Sequence, residues 1–372
     1  MHCPENKQQR RSLQMPVHYI APGGYGPMLS ENFDRFIQII DNAEKIALLP
    51  HIYADGDALG SCGALGTFLK ALGHDVTVLI QEPVEEKLSF LTRIAGIDYV
   101  LFDEEKNAAD GTKYDLAIAV DTSTPDRLGT REKVFRAAKI QARIDHHAAG
   151  GDFTENTLLD PAWAATAEGV WLLLARMGFD CEESRPEALT GEVKKSVASC
   201  IYTALVTDTG CFAFSNVTAQ THRIAGRMLE LAGNMSFVYH HVFEVKSMAY
   251  TRLMKTVYNK LEFPAEGVAS VALTQADFDE AGAGDSDAEG IANILRSIQG
   301  VHVGIFVKPD KVPGKYRVSL RSDDHCSVAD VATVFGGGGH VCAAGCGFAA
   351  RDDEAFSRKM AEIIDAVKER LA

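Results

Sequence analysis

Lys45-Ile-Ala-Leu-Leu-Pro-His51-Ile-Tyr-Ala-Asp55-Gly-Asp57-Ala-Leu-Gly-Ser61 decides the fold. A short apolar run stops at one histidine and two aspartates. Ala58 to Leu72 then reads as a helix, with Gly73 placed to cap its end. The same transition recurs downstream. Tyr114 to Val120 is a near-continuous apolar run that ends at Asp121, and Ile140 to Ile144 ends at Asp145-His146-His147. Asp75 to Ile80 is a β-branched strand. Apolar strands separated by helical stretches imply parallel βαβ units, because strands covered on both faces need no polar alternation. Open parallel sheets collect ligands beyond the carboxyl ends of their strands. Three acidic segments fall at such ends, which is the geometric argument that they meet. A fourth, Thr207-Asp208-Thr-Gly210, follows the helical stretch Glu187 to Leu205.

Ala162 to Met177 and Thr218 to Leu231 read as further helices, and Phe237 to Leu261 as one long helix bridging to a second domain. Beyond it, Val268 to Leu273, Val301 to Val307 and Lys315 to Leu320 read as strands. Ala288 to Ile298, Val328 to Phe335 and Glu354 to Leu371 read as helices. The expected organisation is an N-terminal extension (1–30), a first domain (31–233), a helical linker (234–264) and a second domain (265–372). A chain of 372 residues has room for two cores.

Hydrophobic content of 46% and charged content of 24% are those of a soluble globular protein. No apolar stretch reaches the roughly 18 residues of a membrane span, so no membrane partner is expected. Residues 1–28 lack the apolar core of a signal peptide. The eight cysteines are scattered without a CxxC pair, which points to reduced thiols and a cytoplasmic protein. A net charge of -14 argues against duplex DNA as a partner, but not against a small phosphorylated one, since bound metal reverses the local sign.

The four segments offer enough carboxylates and imidazoles for two divalent ions. A two-metal centre is suited to in-line displacement at phosphorus. Asp55 and Asp57, two apart, project alike if the segment is extended. Asp121 competes between capping a helix, with Thr122-Ser-Thr following, and bridging two ions; in this company the bridge is favoured. In Asp145-His146-His147, one imidazole suits a metal and the other a substrate, with Asp145 placed to orient a ring N–H. Carboxylate and imidazole without thiolate suit Mn²⁺ first, then Mg²⁺, Co²⁺ or Fe²⁺.

In the second half, Arg317 and Arg321 lie four apart in a strand and share a face. Such a pair can grip phosphate, although a solvated edge explains each arginine equally well. Gly336 to Gly339 would bring bare backbone N–H groups close to a ligand, and His340 adds a ring. Lys308 and His302 are weaker candidates. A dinucleotide fingerprint is rejected, because the run does not link a strand to a helix.

The order His-x3-Asp-Gly-Asp-Ala-Leu-Gly-Ser, a strand-end Asp, Asp-His-His and Thr-Asp-Thr-Gly resembles the DHH phosphoesterase superfamily. Phe335-Gly-Gly-Gly-Gly-His340-x2-Ala343-Ala-Gly345 is similar to the glycine signature of the DHH-associated C-terminal domain. The resemblance spans about Phe36 to Leu371 and is nearest to the nanoRNase and 3′-phosphoadenosine 5′-phosphate (pAp) phosphatase type. It implies an α/β fold: a parallel-sheet DHH domain with helices on both faces, linked to a smaller α/β domain with a mixed sheet. It further implies that His51, Asp55 and Asp121 hold one ion. Asp57, Asp121, His146 and Asp208 would hold the other, with Asp145 orienting His146 and His147 facing the phosphate. Arg317, Arg321 and Gly337, Gly338, Gly339 and His340 would bind the nucleotide. Ala54 and Ala213 depart from the family's usual residues, and the second leaves fine preference open.

The activity expected is hydrolysis of short single-stranded oligoribonucleotides, linear dinucleotides or pAp. Alternatives are a cyclic-dinucleotide phosphodiesterase, an inorganic pyrophosphatase or exopolyphosphatase, a processive exonuclease, and a non-catalytic nucleotide sensor. A homodimer is left open.

Overall fold

Six parallel strands form the first sheet, in the order β3-β2-β1-β4-β5-β6. They are β1 (Lys45–Pro50), β2 (Asp75–Ile80), β3 (Tyr99–Leu101), β4 (Leu116–Val120), β5 (Ile140–Asp145) and β6 (Thr157–Leu159). The computed structural model describes residues 27–105, 113–148, 150–180, 188–323 and 325–371. The expected extension lies outside them up to residue 26, and its last residues begin helix α1 (Pro27–Asp41).

Alternation along the strands explains the two-faced packing. Ile46 and Leu48 join the larger core, with Phe68 and Leu205 from the helices α2 (Gly56–Ala71) and α4 (Gly191–Asp208). Ala47 and Leu49 point the other way, to Leu128 and Phe135 of a short helical segment. Helices α3 (Thr166–Arg176) and α5 (Ala219–Ala232) complete the larger layer. From β1 the order runs to β2 on one side and β4 on the other. Adjacent connections leaving in opposite directions open a crevice at the carboxyl ends of β1 and β4.

The expected long helix from Phe237 to Leu261 is not continuous. Ser236–Tyr239 forms one turn, His240–Glu244 a wider π turn, and α6 covers Met248–Asn259. Ser247 is extended, and its side chain accepts a hydrogen bond from the Tyr250 backbone N–H, so a cap restarts the helix. The chain divides into two compact units at Val245/Lys246.

The second unit has a mixed sheet in the order β11-β12-β10-β9-β8-β7. Its strands are β7 (Glu262–Ala265), β8 (Val268–Ala272), β9 (Val303–Pro309), β10 (Lys315–Ser322), β11 (Gly338–His340) and β12 (Ala343–Ala349). Only β8 and β9 pair in parallel. One face packs on α6, α7 (Gln275–Ala281) and α8 (Ile291–Arg296), the other on α9 (Val328–Val334) and α10 (Asp353–Leu371). The segments Gly338–His340 and Ala343–Ala349, which the sequence does not mark as strands, pair as a hairpin. Gly337 and Gly339 are small for that packing. An added Cβ would lie 2.1 Å from the Gly345 carbonyl oxygen and 2.5 Å from that of Ala343 respectively.

Candidate active site

Three strand ends and two helix ends converge in the first unit. His51 follows β1, Asp121 follows β4, Asp145 closes β5 and Asp208 closes α4. Asp55 and Asp57 do not share one extended segment. Asp55 caps α2, its carboxylate accepting from the Asp57 and Ala58 N–H groups, and Asp57 lies in the first turn, fully buried. An acid at both positions suits the positive end of the helix.

The donor atoms fall into overlapping groups. His51, Asp55 and Asp121 form one, Asp57, His146 and Asp208 another, with atoms inside each group within 4.8 Å of one another. Asp121 faces both: its Oδ2 is 3.5 Å from His51 Nε2 and its Oδ1 is 3.7 Å from His146 Nε2. His51 Nε2 is also 3.7 Å from Asp55, and His146 Nε2 is 3.4 Å from Asp208 and 4.0 Å from Asp57. Both rings turn the same nitrogen inward because their Nδ1 atoms lie beside main-chain acceptors, Ile52 O at 2.7 Å and Trp163 O at 3.2 Å. An Nδ1–H donated there leaves Nε2 a lone pair for a cation.

Asp145 accepts the His146 backbone N–H at 2.9 Å, but the His146 ring turns its Nδ1 to Trp163 O instead. The Asp145 Oδ1 lies 2.7 Å from His147 Nδ1, and its other oxygen receives the buried Arg143 guanidinium. Arg143 was not singled out from sequence, though a charge two residues before Asp145 in an apolar strand must share its face. Thr166 was also missed. Its backbone N–H donates to Asp57 at 2.6 Å and its hydroxyl to Asp121 at 2.9 Å. Only folding brings it there, since Thr166 starts α3, far along the chain. The Ala167 N–H and the Ser61 hydroxyl also donate to Asp57.

The electrostatics fit cations. Burial, with Asp121, Asp208 and Asp55 nearby, pushes the Asp57 carboxyl well up. Burial, against the His146 contact, pushes Asp208 up to about 7. Burial opposes protonation of His51, but the Asp121 and Asp55 carboxylates outweigh it and raise that imidazole to about 10. A protonated His51 thus stands in for positive charge among carboxylates that repel one another. Divalent ions would supply that charge, and oxygen with imidazole is a donor set that hard or borderline ions accept. His147 is raised by its Asp145 hydrogen bond, against burial.

In the second unit, Arg317, Ser319 and Arg321 line a cavity of about 810 Å³ together with Asp285, Lys308 and Gly336. Lys308 pairs with Asp285 at 2.7 Å, and Arg317 approaches the same carboxylate at 3.9 Å. Gly337, Gly338, Gly339 and His340 are exposed and do not line the cavity.

Comparison with known proteins gives two separate matches, one in each half of the chain. The model of the DHH family N-terminal domain matches residues 45–205, and that of the DHHA1 domain residues 267–372. The chain is 28% identical to the bifunctional oligoribonuclease and PAP phosphatase NrnA of Thermus thermophilus, over 88% of this chain and 90% of that one. The protein of the same description from Bacillus subtilis is 25% identical, over 86% and 94%. The crystal structure of an exopolyphosphatase-related protein from Bacteroides fragilis superposes with a TM-score of 0.78 at 26% identity, covering 92% of this chain and 98% of that one.

Proposed function

Because the chain belongs to the DHH phosphoesterase superfamily, of the nanoRNase and pAp-phosphatase type, and is a hydrolase of phosphoric esters, we propose that it cleaves short oligoribonucleotides or linear dinucleotides, pAp, or both. The single observation that carries the site assignment is Asp121, whose two oxygens face two different imidazoles. His51, Asp55 and Asp121 are assigned to one divalent ion, and Asp57, Asp121, His146 and Asp208 to a second, with Mn²⁺ preferred. When bound, such ions neutralise phosphate charge and acidify a water molecule.

The chain's own residues do the rest. Thr166 and Ser61 hold Asp57 and Asp121 in register by hydrogen bonds. Asp145, itself neutralised by Arg143, takes the Nδ1–H of His147 and leaves its outer nitrogen for the scissile phosphate. That imidazole, favoured in its protonated form, can donate to a phosphoryl or leaving oxygen. Arg317 and Arg321 are assigned the part of the nucleotide away from the scissile bond. Gly337, Gly338, Gly339 and His340 are kept as weaker candidates for the same role.

The test is product release from a 5′-phosphorylated dinucleotide, a long single strand, a cyclic dinucleotide, pAp and pyrophosphate, with Mn²⁺, Mg²⁺ or chelator. Metal-dependent cleavage of the dinucleotide or pAp above the long strand is expected. Turnover of pyrophosphate or of the cyclic dinucleotide alone would replace this reading.

A further inference from the structure

Outside the DHH cluster, a second set of metal-ligating side chains meets in the second unit. His302 lies just before β9, and Asp323 and His325 just after β10. The antiparallel pairing of Ser322 with Val303 brings these ends together. His302 Nδ1 is 2.7 Å from Asp323 Oδ2, and His325 Nδ1 is 3.0 Å from Asp323 Oδ1. The two imidazole rings are 4.4 Å apart between centroids, and the three donor atoms all lie within 4.8 Å of one another.

The cluster is built on fixed backbone. The Asp323 N–H donates to the His302 carbonyl, and the His302 N–H donates to Gly267 O at 2.7 Å. Gly267 has φ +73°, and a Cβ there would stand 2.8 Å from His302 Cδ2, so bare backbone seats that ring. Ser322, buried, donates its hydroxyl to Cys326 O at 2.6 Å, and the His325 N–H donates to Asp323. These bonds hold Asp323, His325 and Cys326 near the end of β10 before any ion arrives. Two imidazoles merely hydrogen-bonded to a shared carboxylate would give the same two contacts. The exposed His325 and the half-buried His302 and Asp323 leave these nitrogens and the carboxylate accessible to an ion. His302 and His325 do not line the cavity of Arg317 and Arg321.

We propose that His302, Asp323 and His325 form a further divalent-cation site, separate from the DHH cluster, which takes Zn²⁺ with water in the remaining position. Two neutral imidazoles and one carboxylate with an open fourth position form a donor set that zinc accepts. The ion would clip the start of β9 to the turn following β10. That turn begins two residues after Arg321.

The experiment is metal content of the full-length protein after equilibration with Zn²⁺ and removal of loose ions, comparing wild type with His325→Ala and His302→Ala. His325 is exposed, so its replacement spares the fold. One equivalent less zinc per chain in each variant is expected, whatever the wild-type total. Co²⁺ loading should give a visible absorption component that the variants lose. Equal zinc content in all three proteins, or an unchanged cobalt spectrum, would overturn the proposal. It would leave the assignment of the DHH cluster untouched.

Discussion

Asp121 sits in the left-handed region, with φ 55°, a conformation that a non-glycine residue adopts at a cost. Asp and Asn bear that cost better than other side chains. The strain is held by the Asp121 N–H bond to Ile144 O and by Thr166 on the carboxylate. Asp121→Asn should therefore keep the backbone while removing the charge both imidazoles face. Turnover is expected to fall by at least about 10²-fold, the scale of losing one electrostatic stabiliser. Near-normal kcat in a folded variant would refute the shared carboxylate. Asp208 tests the electrostatics without metal. Its folded pKa of about 7 lies above the unfolded value near 3.9, so its ionisation opposes folding. That penalty is absent below about pH 4, grows through the interval and is complete above about pH 7. In chelator, Asp208→Asn should raise the thermal midpoint at about pH 8 and change it little at about pH 4. A difference independent of pH would contradict the repulsion.

At the scale of elements, the site depends on how closely α2 and α4 approach. Asp57 is in the first turn of one and Asp208 is the last residue of the other. Gly60 lies at their contact, where a Cβ would stand 2.6 Å from the Cys200 carbonyl oxygen and 3.0 Å from Ala204 Cβ. Backbone cannot yield as a side chain can, so Gly60→Ala should push the helices apart. A loss of about 1–3 kcal/mol is expected, read by denaturant titration, as for other overpacked cores. Metal affinity should fall as well, because Asp57 and Asp208 separate. An alanine variant as stable and as metal-avid as the wild type would show that the contact is not tight. The early start of α2 belongs to the same scale. Asp55 reads as an ordinary loop residue until its neighbours' N–H groups are seen turned onto it.

For the molecule as a whole, the proposed chemistry and the proposed recognition fall on different cores. The first unit carries the carboxylates and imidazoles, and the second carries Arg317, Arg321 and Lys308 around a cavity. Replacing both arginines, Arg317→Ala with Arg321→Ala, should raise KM for a dinucleotide or pAp far more than for an aryl phosphodiester lacking a nucleotide. About tenfold per lost charge-assisted contact is expected, at roughly 1.4 kcal/mol each. Equal losses on both substrates would mean that the pair serves the fold. Among the described residues no helix is long and apolar enough to cross a membrane, in line with the absence of such a stretch in the sequence.

Local order was legible because it is written locally. Apolar runs ending in His51, Asp121 and Asp145 foretold β1, β4 and β5 with the candidate ligands at the carboxyl ends, since buried parallel strands need continuous apolar residues. The spacing of the arginines foretold one shared face, since strands alternate. The break at Val245 to Ser247 was present as a serine cap but lay inside an apolar periodicity that suggested one helix. What only the tertiary structure decided concerns partners distant in sequence. Asp145 turned to His147 because the β5 end presents its carboxylate to that ring, while Trp163 O took the Nδ1 side of His146. Thr166 reached Asp57 and Asp121 across more than forty residues. His302, Asp323 and His325 met through strand pairing. No periodicity or spacing encodes such meetings, because they follow from which strands lie side by side and from the shape of the packed core.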